Sequence, residues 1–199
     1  MKSYFDTLKP IVVKKFEQLL APHFFYHSLQ HTLGVAATAQ TICQRENIAE
    51  HEADLVKTAA LFHDTGFFYT TFNHEEKSCE IALEHMPDAG VSENEMEAIC
   101  RIIMATKMPH NPTDILQEII CDADLDYLGS EDYEPISNLL FKEMNARGEI
   151  YSDMYWLQMQ LAFLESHRYF TQSSKQLRNA GKEIQIVRLK KQIQGNLKN

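Results

Sequence analysis

Two histidines near the start of the chain have a spacing suited to metal binding or proton transfer. His27 and His31 are four residues apart, which on a helix places both imidazoles on one face. Imidazole nitrogens bind divalent transition metals, and near neutral pH they also donate and accept protons. Pairs at this spacing also occur on helix surfaces and in ordinary cores, so the pair alone leaves its role open.

A histidine followed directly by an aspartate closes a later helical run. Val56, Ala59 and Ala60 precede His63 on the same side, and all three are small and apolar. An acid at the inner end of such a face needs a partner, because burying an unpaired charge is very unfavourable. A metal ion bound by His63 and Asp64 would supply that partner. The alternative is a helix C-terminus at which His63 faces the helix dipole.

Three aspartates crowd another predicted helix, and helical geometry separates them. Asp124 has Ile120 one turn before it and Leu128 one turn after it, whereas Asp122 lies one turn after Glu118. We therefore expect Asp124 to point into the protein and Asp122 to point outward. Several acids on one helix are usually a solvated face, but an acid on an apolar stripe calls for a partner.

Helical periodicity places these residues, and no segment gives a convincing strand. One predicted helix ends near residues 20–21, the next carries His27 and His31, and a third runs from about 49 to 64 with Gly66 as its stop. A fourth predicted helix starts at a capping box formed by Asn73 and Glu76, and a fifth contains Ile99 and Ile103. A sixth opens at Thr113 and continues through Leu128. Two more cover residues 135–146 and 153–170. The predicted fold class is all-α.

The C-terminal segment differs in charge from the rest. It is basic, and Ile186, Leu189, Ile193 and Leu197 recur on it at helical spacing. We predict one compact helical domain over residues 1–172, followed by a basic amphipathic helix over residues 173–199 that packs on the domain or extends it.

Composition and charge limit the class of function. The chain has 199 residues, 44% hydrophobic and 24% charged, which is typical of a globular domain. Its net charge of −9 opposes binding to nucleic acid. The four cysteines are widely spaced, no apolar run approaches the roughly 20 residues of a membrane span, and no signal-peptide core is present. We expect a soluble cytoplasmic protein with no membrane partner, and a homodimer stays open.

Three segments in order resemble the HD superfamily of metal-dependent phosphohydrolases. They are residues 26–32 (YHSLQHT), 61–66 (LFHDTG) and 121–129 (CDADLDYLG). Their order and separation make the set more specific than any one segment. The resemblance covers about Tyr26 to Gly129 and is loose over the last third of the chain. It implies the all-helical fold of that family.

The resemblance also implies a ligand set for one divalent metal ion, namely His31, His63, Asp64 and Asp124. Helical spacing and apolar neighbours had already marked the same four residues as candidates. Mixed imidazole and carboxylate ligands suit Mn, Fe, Co, Ni, Zn or Mg, and the lack of thiolate ligands argues against a structural zinc site. Asp64 is then both a ligand and a catalytic residue.

His27 resembles the first histidine of the Tyr-His-Asn-x-x-His block of cyclic-nucleotide phosphodiesterases, which share this fold. Those enzymes use that histidine to protonate the leaving oxygen. Ser28 stands where they have asparagine. The resemblance implies that His27 is a general acid. A role in supporting a metal ligand is the alternative.

Some relatives bind a second metal through two further histidines, and His74 lies in a segment that resembles the first of these. Lys107 occupies approximately the place of the second, where a lysine suits a phosphate group as a mobile charge. His110, three residues later, could restore the missing ligand. We favour one metal, or one strong and one weak site, with Lys107 near the phosphate. His74 could equally be an ordinary first-turn helix residue.

The reaction that the resemblance implies is hydrolysis of a phosphate ester in a nucleotide or another small phosphorylated metabolite. The metal would polarise the phosphoryl oxygen, Lys107 would stabilise the developing charge, and His27 would protonate the leaving oxygen. One alternative is a nucleotide-binding or signalling module without turnover. The other is a di-iron oxygenase on the same fold, which would need both His74 and His110 as ligands.

Overall fold

The computed structural model describes residues 3–150 and 152–196, and these residues are all-helical, as predicted. None of their helices is both long enough and apolar enough to span a membrane. The α-helices are α1 (Tyr4–Leu19), α2 (Leu29–Arg45), α3 (Glu50–Phe62), α4 (His74–His85), α5 (Glu93–Met104), α6 (Ile115–Asp124), α7 (Tyr133–Ala146), α8 (Asp153–Ser166) and α9 (Gln172–Asn196). Short 3-10 turns cover Thr65–Phe68, Pro87–Ala89 and Asp126–Gly129.

The start of α2 corrects the prediction that His27 lies on a helix with His31. Ser28 caps the helix, because its side chain accepts a hydrogen bond from the backbone N–H of His31. His27 therefore precedes the helix, and its position depends on contacts other than helical spacing. His31 lies in the first turn of α2.

The glycine after the His-Asp pair does not stop α3, which ends at Phe62, four residues earlier. Gly66 opens onto the start of α4, where a Cβ would lie 2.0 Å from the backbone oxygen of His74. Its N–H donates to Ser78 Oγ at 2.8 Å, and that hydroxyl donates to the carbonyl oxygen of His63 at 2.6 Å. The predicted role of Gly66 as a helix stop is thus replaced by a close approach that only glycine permits.

The predicted capping box at the start of α4 is wrong. Asn73 has a left-handed backbone (φ 52°, ψ 44°) and makes no side-chain capping bond. Its Oδ1 instead accepts from Lys107 Nζ at 3.0 Å, and Glu76 accepts from the same ammonium at 2.5 Å. Both polar groups of the expected box are therefore used to bind Lys107.

The aspartates of α6 follow the prediction at one position and not at another. Asp114, not Thr113, caps this helix, which ends at Asp124 and does not continue to Leu128. Asp122 is fully buried, contrary to the outward orientation predicted. Its carboxylate accepts hydrogen bonds from the N–H groups of Phe170 and Thr171, both at 2.8 Å, and from the Thr171 hydroxyl at 2.7 Å. These partners lie beyond the end of α8, which stops at Ser166 and not near residue 170.

Two hydrophobic clusters form the interior, and the first is the larger. It joins α1, α2, α3, α4, α5 and α6. The second joins the 126–129 turn to α7, α8 and α9 through Leu125, Leu128, Tyr133, Leu164, Ile186 and Leu189. The carboxyl end of α6 lies between the two clusters, so Asp124 is placed at their junction.

The basic C-terminal helix is present and docked. Of the four apolar residues predicted to dock it, Ile186 and Leu189 are buried, Ile193 is half-buried, and Leu197 lies outside the described residues. The docking also uses two glycines. A Cβ on Gly129 would lie 2.2 Å from the carbonyl oxygen of Arg178, and one on Gly181 would lie 2.1 Å from the oxygen of Gly129.

Candidate metal centre

Four side chains from three parts of the chain converge at the junction of the clusters. His31 Nε2 lies 3.0 Å from Asp124 Oδ1 and 3.3 Å from Asp64 Oδ2. His63 Nε2 lies 3.1 Å from the same Asp64 oxygen and 3.5 Å from the same Asp124 oxygen. The ligand atoms of His31, His63 and Asp124 are thus close enough to surround a single ion, and Asp64 Oδ2 lies beside the two histidines. These are the four residues that the sequence singled out.

The donor atoms fit a metal ion because three of them have no other partner. The Nε2 atoms of His31 and His63 and the Oδ2 atom of Asp64 are buried and make no hydrogen bond. Such orphaned polar atoms are unfavourable unless something binds them. His63 Nδ1 donates to the carbonyl oxygen of Ala60 at 2.8 Å, which leaves Nε2 as the atom free to bind a metal. The ligand atoms of His31, His63 and Asp124 lie within 4.8 Å of one another.

The charges of the cluster reinforce one another. Burial lowers the pKa of both imidazoles, but the carboxylates of Asp64 and Asp124 outweigh it, so the pKa values of His31 and His63 are raised. Burial likewise raises the pKa of each carboxyl group, and the two histidines more than offset it, so both acids have lowered pKa values. The site thus stabilises two anionic carboxylates and positive charge between them, which a divalent cation supplies.

His27 is held beside this cluster by a glutamate that the sequence analysis did not identify. Glu143 of α7 is fully buried, and its Oε1 accepts a short hydrogen bond from His27 Nδ1. Its Oε2 accepts from the backbone N–H groups of Tyr26 at 2.9 Å and His27 at 3.1 Å. Burial raises the pKa of Glu143, but the hydrogen bonds from His27 and the backbone bring it below the usual value. Nδ1 of His27 is fixed as a donor, so Nε2 is the atom available for chemistry.

Glu143 carried a usable sequence signal. It continues the spacing of Ile136 and Leu140 at i, i+4 and i+7, so it is an acid on an apolar stripe. The same reasoning identified Asp124. Its partner could not be read from the sequence, because it lies 116 residues away.

A phenylalanine separates two of the site histidines. Phe67 has its ring centroid 4.1 Å from that of His27 and 4.0 Å from that of His74. His74 Nε2 lies 3.6 Å from Asp64 Oδ1, whereas His31 and His63 lie near the other oxygen of that carboxylate, Oδ2. Burial lowers the pKa of His74, although Asp64 opposes the shift. His74 thus presents a neutral imidazole beside the site, which is compatible with a second, weaker ligand position.

The two other residues considered for phosphate or a second metal are placed differently. Lys107 is salt-bridged to Glu76 and does not line the site cavity, which removes the predicted contact with phosphate. His110 does line the cavity, but its Nε2 donates to the carbonyl oxygen of Thr106 at 3.1 Å. Within the described residues, the ligand atoms that converge closely are those of His31, His63 and Asp124, and His110 is not among them.

A cavity of about 300 Å³ opens at the cluster and runs between α7 and α8. Asp64, Asp124 and His27 line one end. The other end is lined by Tyr133, Leu140, Trp156, Met159, Gln160 and Phe163. These six residues lie on helices beyond the three segments that resemble the HD superfamily, so the sequence predicted no role for them.

Comparison with known proteins agrees with the geometry. A family model described as the HD domain matches residues 28–126. The match contains His31, His63, Asp64 and Asp124, and it ends before α7 and α8. No curated protein and no solved structure matched the chain.

Proposed function

Since the chain belongs to the HD-domain superfamily, we propose that it hydrolyses a phosphate ester in a nucleotide or another small phosphorylated metabolite, with a divalent metal ion as cofactor. The superfamily is one of metal-dependent phosphohydrolases. The observation that carries the proposal is the convergence of buried, unpartnered ligand atoms from His31, His63 and Asp64 beside Asp124.

These four residues would hold the ion, and Asp64 would be both a ligand and a catalytic residue. An ion at this position supplies a Lewis acid for the phosphoryl oxygen and makes a bound water more acidic. The carboxylates of Asp64 and Asp124 would hold the ion and would offset its positive charge. His63 is held in the tautomer that binds through Nε2 by its bond to Ala60.

His27 is placed to move a proton. Glu143 accepts the hydrogen bond from Nδ1, which leaves Nε2 as the atom that would donate a proton to the oxygen that leaves phosphorus. The hydrogen bonds from the backbone of residues 26 and 27 to Glu143 fix this orientation. In this proposal His27 contacts substrate and Glu143 is its positioning residue. Lys107 has no part in it, because Glu76 and Asn73 hold its ammonium group.

A small substrate is favoured over a polymer. The net charge of −9 opposes attraction of a nucleic-acid backbone. The cavity of about 300 Å³ is at the lower end of the size range of about 300–1,000 Å³ typical of small-molecule sites.

The experiment is phosphate release by the purified, metal-reconstituted protein. Nucleoside mono-, di- and triphosphates, cyclic nucleotides and sugar phosphates are compared, each with and without a chelator. We expect chelator-sensitive turnover of at least one class, and loss of it in Asp64→Ala but not in Asp88→Ala, which changes an exposed aspartate. Binding without turnover of any class would support the signalling-module alternative. Two irons per chain with O₂ consumption would support the oxygenase alternative.

A further inference from the structure

The cavity extends beyond the reacting centre into a chamber that the metal ligands do not need. We use the term chamber for the part lined by Tyr133, Leu140, Trp156, Met159 and Phe163, on α7 and α8. Three of these side chains are aromatic, and aromatic faces pack well against other planar groups. The chamber is continuous with Asp64 and His27, so a substrate whose phosphate lies at the metal would place its remaining part there.

The charges around the cavity favour a substrate with a single phosphate. No lysine or arginine is among the described residues that line it, whereas Asp64, Glu75 and Asp124 are. A further phosphate in the chamber would be buried without a counter-charge, which is strongly unfavourable.

Two cations on neighbouring elements, Lys107 and Arg178, are already bound to carboxylates. Lys107 Nζ lies 2.5 Å from a Glu76 oxygen. Arg178 makes two hydrogen bonds of 2.7 Å to Asp126. Recruiting either cation to a second phosphate would break an existing ion pair.

One polar group in the chamber wall is positioned to act as a donor. Gln160 Oε1 accepts from the Tyr133 hydroxyl at 2.7 Å and from the Ser137 hydroxyl in a short hydrogen bond. These two bonds fill the acceptor oxygen, and no hydrogen bond from the amide nitrogen is made among the described residues. The amide N–H groups are thus available to an acceptor in the cavity, such as a carbonyl oxygen or ring nitrogen.

We propose that this chamber binds the uncharged planar leaving group of a phosphate monoester, that Gln160 donates a hydrogen bond to an acceptor on that group, and that substrates with one phosphate are preferred over those with two. The proposal rests on the proposed function and specifies its substrate class. Gln160 is a specificity residue here and takes no part in bond breaking.

The first test measures binding, independently of turnover. Trp156 is the only tryptophan of the chain and lines the chamber, so its fluorescence reports occupancy. Metal-loaded protein is mixed rapidly with AMP, ADP, phenyl phosphate or inorganic phosphate, and emission is recorded before turnover. We expect AMP and phenyl phosphate to change the emission, and ADP to require at least about tenfold higher concentration. No change with either monoester, or equal affinity for AMP and ADP, overturns the proposal.

The second test adds the missing cation. Met159→Lys places an ammonium group in the chamber wall, and Gln158→Lys makes the same addition on the exposed side of the same helix. The kcat/KM ratio of AMP to ADP should fall at least about fivefold in Met159→Lys and stay unchanged in Gln158→Lys. An unchanged ratio in both variants, with both folded by circular dichroism, overturns the charge argument.

The third test isolates the amide donor. Gln160→Glu keeps an acceptor for Tyr133 and Ser137 but removes the donor, and Gln158→Glu is its matched control. Phenyl phosphate and 3-pyridyl phosphate have nearly the same shape, and only the second has a ring acceptor. Gln160→Glu should reduce kcat/KM for the pyridyl ester about fivefold more than for the phenyl ester, as expected for one neutral hydrogen bond. Equal losses overturn the role of Gln160.

The outcomes separate this proposal from the proposed function. A Trp156 signal that prefers AMP over ADP, without phosphate release from any ester, would overturn the hydrolase and leave the chamber intact. Phosphate release at equal kcat/KM from AMP and ADP would overturn the chamber proposal and leave the hydrolase intact.

Discussion

The helices that carry the proposed metal ligands and those that line the proposed substrate chamber differ in how deeply they are buried. In α3, which leads into His63 and Asp64, eight of 13 residues are buried. In α8, which lines the chamber, only Trp156 and Leu164 are buried among 14 residues. Burial of this kind fixes side-chain positions, whereas a lightly packed helix tolerates change. The ligand geometry is therefore the rigid part of the site, and the part that would select a substrate is free to vary.

We expect the largest effect on metal binding and activity from substitutions at the proposed ligands. His63→Ala removes a buried ligand atom, and we expect loss of both bound metal and turnover. His23→Ala, at an exposed position, should change neither. Metal per chain is measured by elemental analysis and activity by phosphate release. Wild-type metal content in His63→Ala would contradict the site.

Two aspartates on α6 test whether the ligand region and the C-terminal region can be disturbed separately. Asp122→Asn leaves one acceptor oxygen for two N–H donors that the carboxylate binds through separate oxygens, so the new NH₂ group faces one of them, and we expect a loss of about 2 kcal/mol in unfolding free energy. The folded fraction should keep its metal. Asp124→Asn should lose metal and activity with a smaller change in stability. Chemical denaturation and metal analysis of both variants check this, and the reverse pattern would contradict the orientations seen here.

His27 connects the two regions, because Glu143 of α7 orients it beside ligands on α2 and α3. His27→Ala should retain metal and lose activity mainly on esters with poor leaving groups. The loss on an alkyl or ribose phosphate should exceed that on a nitrophenyl phosphate by at least about tenfold, or roughly 1.4 kcal/mol of barrier. Glu143→Gln should shift the same ratio in the same direction. Equal losses on both substrates would assign His27 to binding.

The last prediction concerns pH and lies in the C-terminal region, where the change per pH unit is small. Burial and the nearby Lys182 lower the pKa of His167 to about 3, and both its ring nitrogens lack partners. Above the ordinary histidine pKa of about 6.5 it is neutral in both states. Between there and about pH 3 only the unfolded chain binds the proton, so stability falls as pH falls, by at most about 1.4 kcal/mol per pH unit.

Removing that group should flatten the pH dependence. His167→Phe retains a ring against Phe163 and Tyr169 and should reduce the slope of unfolding free energy between about pH 6 and pH 4. His23→Phe serves as the exposed control. An unchanged slope in His167→Phe would mean that His167 titrates normally in the folded protein.

The four proposed ligands could be singled out from the sequence because local pattern determines where they are placed. His31, His63, Asp64 and Asp124 each stand on an apolar stripe or in a recognisable segment, and an all-helical fold follows from the periodicity. Asp122 was assigned outward because its neighbours in sequence are acidic. Its partners, at residues 170–171, come from a distant segment that no local pattern reveals.

Contacts between distant helices account for the other differences. Lys107 was expected at the phosphate from its position along the chain, but Asn73 and Glu76 capture it across 34 and 31 residues. The same two residues were predicted to cap α4. A pattern of residue types identifies groups that need partners, and only the tertiary fold decides which partners they receive.

The glycine contact between Gly129 and α9 bears on how this protein could be divided or recombined. Similarity to the family ends at residue 126, three positions before a crossing that excludes any side chain at Gly129 and Gly181. A fragment cut at that similarity boundary would lose both Gly129 and α9, which pack against each other at this crossing. Recombination that transfers the segment matching the family would therefore have to bring a C-terminal helix with it, with glycine retained at both positions.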